Sequence, residues 1–260
     1  MDNPGVLVVV IAALLALALI AYFALAQMRL RRVSETLIDA DEALDRGEVE
    51  RAREMVAPIL ARYPQLPIVQ DVAADVLYAN GDPLSAASLY ERAMKKLGPG
   101  RVAPKLVAAY AALNRAGDAR RVAAMAPDDP MTRLALAWSE LAAVGGDRDR
   151  GRALADGIAN DAELRSTAAG DAMACVLEAI ASARAGQTGR ARDALDRASV
   201  QREKLAAHAR AFVGYLGGIA LLEMGAHADA RDTWTMAIDA APETIGGALA
   251  RRERSHRPLE

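Results

Sequence analysis

The sequence predicts an all-α chain, with an N-terminal transmembrane helix followed by a right-handed superhelix of stacked helical hairpins. Three observations predict it. The composition is 53% hydrophobic but only 4% aromatic, and alanine and leucine dominate, which favours helix. No stretch alternates polar and apolar residues for long enough to read as a strand. Finally, helical stretches are interrupted at Gly47, Gly81, Gly117, Gly146, Gly186 and Gly225, at successive intervals of 34, 36, 29, 40 and 39 residues. Such intervals suit a helical hairpin, a unit too small to bury its apolar face without a neighbour.

The first element is Val6–Ala26, 21 residues without a charge. At 1.5 Å per residue it spans roughly 30 Å, the thickness of a bilayer core. Arg29, Arg31 and Arg32 follow it, whereas only Asp2 and the terminal amine precede it. The positive-inside rule therefore keeps the arginine end in the cytoplasm of an inner membrane. Ala24-Leu25-Ala26 resembles a signal-cleavage tripeptide. However, the basic leader of a signal peptide is lacking and the apolar run exceeds the usual length of about 7–15 residues. A retained anchor, residues 1–32 with the basic flank, is the expectation.

Repeats follow over residues 33–246. Gly47 leads through Ala52, Val56 and Ile59 to Pro64; Gly81 through Ala86, Tyr90 and Ala93 to Pro99; Gly225 through Ala230, Trp234 and Ala237 to Pro242. The alanine five residues after the glycine lets two helices cross closely. The bulky residue nine after fills the space between them, and the proline stops the second helix. Around Gly186 the same positions hold Ala191, Leu195 and Ala198. Two units depart from the pattern. The helix after Gly117 is cut short by Pro127 and Pro130, and after Gly146 it is Gly151 that replaces the crossing alanine. Pro127-Asp128-Asp129-Pro130 reads either as an internal boundary or as a longer turn between repeats. Beyond residue 246 the pattern ends, and residues 247–260, with Arg251, Arg252, Arg254 and Arg257, read as a frayed basic tail or a contact to anionic lipid.

These units resemble the tetratricopeptide repeat (TPR), over residues 33–66, 67–100 and 211–244 above all, with Gly217-Gly218 matching the small pair of the family's first helix. The resemblance implies a concave face built from the first helix of each unit. On the second unit it implies Ile68, Asp71, Asp75 and Tyr78, and on the last Phe212, Tyr215, Ile219 and Leu222. The latter four share one helical face. Two readings stand for each set: a groove that holds a peptide, or packing for the apolar residues and a solvated face for the aspartates. The family's carboxylate-clamp grooves carry Lys and Asn where this chain has Leu37 and Asp41, which argues against a chaperone C-terminus as ligand. An anchor joined to repeats is also similar to membrane-anchored TPR proteins of the HemY and LapB kind, which implies a role in envelope or cofactor assembly. The sequence differs from both kinds, having neither the second membrane segment of the first nor the cysteine module of the second.

Little suggests chemistry. A formal net charge of -2 gives no pull toward nucleic acid. Cys175, the single cysteine, excludes an internal disulfide and a cysteine metal cluster. His208, His227 and His256 stand apart from one another with no partner at ligand spacing. Gly98-Pro99-Gly100-Arg101 is glycine-rich but follows no strand, and reads as a turn. The expected function is a non-enzymatic scaffold without cofactor, which holds a partner protein or peptide in its groove while the N-terminal helix sits in the bilayer. Two alternatives remain: a fixed subunit of a larger membrane complex, or an exported module on the outer face.

Overall fold

The computed structural model describes residues 4–256, with side chains from Leu19 onward except those of Ala26 and Arg29. Among the described residues there are thirteen α-helices and one short 3-10 turn, Leu164–Ser166. The helices are α1 (Pro4–Asp45), α2 (Val49–Arg62), α3 (Pro67–Ala79), α4 (Pro83–Leu97), α5 (Pro99–Ala112), α6 (Ala116–Ala123), α7 (Pro130–Ala142), α8 (Arg148–Ala159), α9 (Ala168–Arg184), α10 (Thr188–Arg202), α11 (Ala207–Glu223), α12 (His227–Ala240) and α13 (Ile245–His256). Consecutive helices pair as hairpins from α1–α2 through α11–α12, and α13 closes the array. Among the described residues, no helix is long and apolar enough to cross a membrane. The expected span Val6–Ala26 and its flanking Arg29 lie largely outside the residues whose side chains are described.

Tight turns make the hairpins. At Gly47, Gly81, Asn114, Gly186 and Gly225 the backbone turns left-handed, with φ between +58° and +78°. At each of these turns, that residue's N–H bonds the carbonyl three residues back and the next N–H bonds the carbonyl five back, at 2.8–3.0 Å. Both orphan carbonyls at the helix end are thereby satisfied. The third turn corrects the sequence expectation: it falls at Asn114, and Gly117 lies inside α6. Asparagine is the non-glycine residue best able to enter that backbone region. Counting five from Asn114 reaches Ala119, which is buried at the crossing of α5 and α6. The fourth turn is also displaced, because Gly145 carries the positive φ of +79°. Gly146 is needed for a different reason: a β-carbon there would meet the Glu140 carbonyl oxygen at 2.3 Å. Gly151 lies so close to Leu141, 2.8 Å from its would-be β-carbon, that an alanine would not fit at this crossing.

Two apolar cores result. One joins α1–α6 to the face of α7 that carries Ala135 and Leu136, and the other runs from Ala111 and Ala112 at the end of α5 through α13. They meet at Tyr78, Ala108 and Leu154, which pack against both. Across the Pro127–Pro130 loop, α5 packs directly on α7. The basic tail also departs from expectation. Residues 245–256 form α13, whose Ile245, Leu249 and Ala250 are buried against α11 and α12. The side chains of Arg251, Arg252 and Arg254 hydrogen-bond to the carbonyls of Pro242 and Ala112 and to the Thr235 hydroxyl. A three-turn helix with one apolar stripe gains more from docking than it loses in fraying.

Candidate functional site

The concave-face residues converge, but not on an open groove. Tyr78 on α3 packs against the core that contains Tyr215 of α11. Phe212 stacks edge-to-face on Trp138 of α7, with ring centroids 4.8 Å apart, and lies 6.0 Å from the Tyr215 ring. Tyr215 and Ile219 are buried, while Leu222 is half-buried against the same core. Burial lifts the hydroxyls of both Tyr78 and Tyr215 well above the ordinary tyrosine range. From the far side, Arg252 Nη1 of α13 donates to the Ala112 carbonyl of α5 at 3.1 Å. The residues that the resemblance assigns to a groove are instead packed together, with Tyr78 of α3 and the α11 residues sharing one core.

The aspartates are neither groove-lining nor solvated. Asp71 is fully buried, and accepts from Arg101 Nε at 2.8 Å and from Lys105 Nζ at 3.1 Å. Lys105 Nζ also donates to Asp75 at 2.6 Å, and the Tyr90 hydroxyl donates to Asp75 at 2.7 Å. Burial pushes the Asp75 carboxyl up to about 6 although Lys105 and Tyr90 favour its charge. Burial opposes the Lys105 charge, but the two carboxylates outweigh it and the ammonium pKa rises. Two acids facing one lysine, one arginine and a phenol form a neutral clamp that ties α3 to α4 and α5. Spacing within one helix could not reveal it, since the partners lie 15 to 34 residues away on α4 and on the first helix of the next hairpin.

Similar clamps recur. Glu140 of α7 is buried and accepts two bonds from Arg120 at 2.7 Å each and one from the Asp147 N–H. Glu178 of α9 accepts from Arg190 and Arg197 of α10. Burial works against its charge, but the two guanidiniums win and lower its pKa. Cys175 is buried, and among the described residues no cluster of His, Cys, Asp and Glu could hold a metal ion.

Open concavity lies elsewhere. Between α10 and α12, two surface hollows of about 310 Å³ and about 410 Å³ meet at Arg202. The floor belongs to α11, where Gly214 and Gly217 present no side chain. Arg202 is half-buried there, and among the described residues its guanidinium makes no ion pair. The glycine spacing 214, 217 and 218 is the signal that could have located this furrow. Of the three, Gly218 serves packing, because its would-be β-carbon overlaps the Trp234 indole at 2.2 Å. No family model and no curated protein matches this chain.

Proposed function

We propose that this chain is a membrane-tethered, TPR-like scaffold that holds a partner protein at the cytoplasmic face of an inner membrane. The observation that carries the proposal is α1. From Leu19 to Leu30 its large apolar side chains are 53–68% exposed, and the same helix continues unbroken into the first hairpin. Exposed apolar surface of that extent calls for a non-aqueous surround, and with the uncharged run before it a bilayer is the surround that fits its length. The arginines after it favour the cytoplasmic side.

The partner surface in this proposal is the furrow at Arg202, because the concave face is occupied by α11 and α13. A glycine floor admits close backbone approach, and the half-buried Arg202 guanidinium, which among the described residues pairs with none of the Asp196, Asp229 and Glu203 carboxylates along the same furrow, suits a carboxylate on an incoming helix or strand. The filled concave face also favours a second reading, a fixed subunit of a larger membrane complex. Cross-linking in native membranes followed by capture in mild detergent separates the two. Several clients that exchange, and that are lost in Arg202→Glu, support the scaffold. One stoichiometric, salt-resistant partner supports the subunit. Recovery of the chain in the soluble fraction after gentle lysis overturns the tether.

A further inference from the structure

We infer that the edge of the body nearest the free end of α1 lies flat on anionic lipid headgroups. This rests on the tether proposed above and adds an orientation to it. Helices joined by tight turns run antiparallel, so α1, α3 and α5 run parallel, and their neighbouring packing sets the starts of α3 and α5 beside the level where α1 leaves the body. Two loops therefore face whatever α1 enters: residues 62–67 between α2 and α3, and residues 97–99 with the end of α4.

Both loops are basic. Arg62, Lys95 and Lys96 are exposed, and among the described residues none of the three has an acidic partner. Arg62 rests over the Tyr63 ring, 5.5 Å from its centroid. No acidic residue occurs in 55–70 or in 92–117. Arg32 on α1 adds to the same end, where Arg31 pairs with Glu35 at 3.0 Å. The opposite edge of these hairpins, at the Gly47 and Gly81 turns, carries Asp45, Glu48, Glu50 and Asp82 beside Arg46, Arg51 and Arg53, which pair with Glu48 and Glu50, so it is close to neutral rather than basic. The next loop on the lipid-side edge holds Asp128 and Asp129 and marks where the basic face stops.

The reach agrees. Among the described side chains Val33 is the first of α1 packed against the body, and it lies seven helical steps beyond Ala26. At 1.5 Å each that is about 10 Å, comparable to a headgroup layer and to one Debye length at physiological salt. Because α1 is continuous, the body cannot swing freely about the tether. Cations on this edge then sit within the range of a negative leaflet.

The 260-residue chain is reconstituted into phosphatidylcholine vesicles with or without phosphatidylglycerol, in a Cys175→Ala background. A fluorophore is placed at Gln65→Cys on the basic edge or at Leu84→Cys on the opposite one, and quenching by a headgroup-labelled lipid is read. The expected result is several-fold stronger quenching at 65 than at 84 with phosphatidylglycerol. The difference should shrink with added salt, and in Arg62→Glu/Lys95→Glu/Lys96→Glu. Equal quenching at the two sites in chains that float with the vesicles overturns the orientation and leaves the tether standing. A difference that ignores phosphatidylglycerol overturns the lipid assignment and points to an acidic protein. Chains that float with neither vesicle overturn the tether and the orientation together.

Discussion

Lys105 neutralises two carboxylates at once, and that makes the clamp asymmetric. Replacing it with methionine leaves Asp71 with Arg101 alone and Asp75 with only the Tyr90 hydroxyl. Removing one partner of a buried ion pair costs about 3 kcal/mol or more at neutral pH. Asp75 is the group that responds to pH. Its folded pKa, about 6, stands above the ordinary value of 3.8, so a protonated Asp75 favours the fold and that advantage is lost as pH rises through 6. The deficit of Lys105→Met measured by urea unfolding should accordingly shrink as the pH is lowered toward 6 and below. A deficit independent of pH would mean that the clamp acts only through packing. The glycine pair on α11 gives a second test at this scale. A β-carbon at Gly217 meets nothing nearer than 3.8 Å, whereas one at Gly218 meets the Trp234 indole. Gly217→Ala should be neutral or stabilising by up to about 1 kcal/mol, and Gly218→Ala should destabilise by about 3 kcal/mol. Thermal melts of the two variants distinguish them.

At the scale of elements, α11 and α13 change the meaning of the repeat pattern. Six hairpins were legible because each needs a left-handed residue at its turn and a small residue at its crossing, and both leave a mark in the sequence. Asn114 shows why the third turn was misplaced: the requirement is for a backbone conformation, and glycine is only its commonest carrier. The end of the array was harder to read. The stripe Ile245, Leu249 and Ala250 is short and lies among arginines, so its composition looks like a tail. Gly246 makes docking possible, since a β-carbon there would lie 2.4 Å from the Phe212 backbone nitrogen on α11. Removing residues 245–260 should therefore uncover Tyr215 and Phe212 and cost about 4 kcal/mol of apolar burial. The melting temperature should fall by about 10 °C. A frayed tail would leave it unchanged, so differential scanning calorimetry of the truncated chain decides between them.

For the whole molecule, the two ends of the array touch. A β-carbon at Gly47 would lie 3.3 Å from His208 Nδ1, and one at Gly81 would lie 3.5 Å from Ala248. An open array unfolds piecemeal from its ends, whereas contacts between first and last hairpins couple them. His208 sits at this seam with its Nδ1 buried and, among the described residues, without a hydrogen-bond partner. Burial lowers its pKa, against a smaller opposing pull from Asp45. A lowered folded pKa means that the unfolded chain binds the proton more tightly, so the contribution of His208 is present above about 6.5 and lost as pH falls below it. The protection factor for hydrogen exchange at the Gly47 turn, corrected for the pH dependence of the intrinsic rate, should fall between pH 7 and pH 5.5, and His208→Phe should abolish the change. Persistence of the change in that variant would assign it to other groups.

The sequence by itself determined the helical hairpins, four of their six turns, most of the small-residue crossings and the uncharged N-terminal run, because each follows from local backbone preference and from spacing along one helix; the other two turns fell at Asn114 and Gly145. For the faces of α3 and α11 it left two readings open, a peptide groove or packing for the apolar residues and a solvated face for the aspartates. Only the tertiary structure decided what those faces meet. Curvature of the array brings α11 and α13 against α3, α5 and α7, as the Phe212–Trp138 stack and the bond from Arg252 to the Ala112 carbonyl show. Contacts of that kind depend on how small rotations between successive hairpins accumulate, a sum that no single repeat encodes.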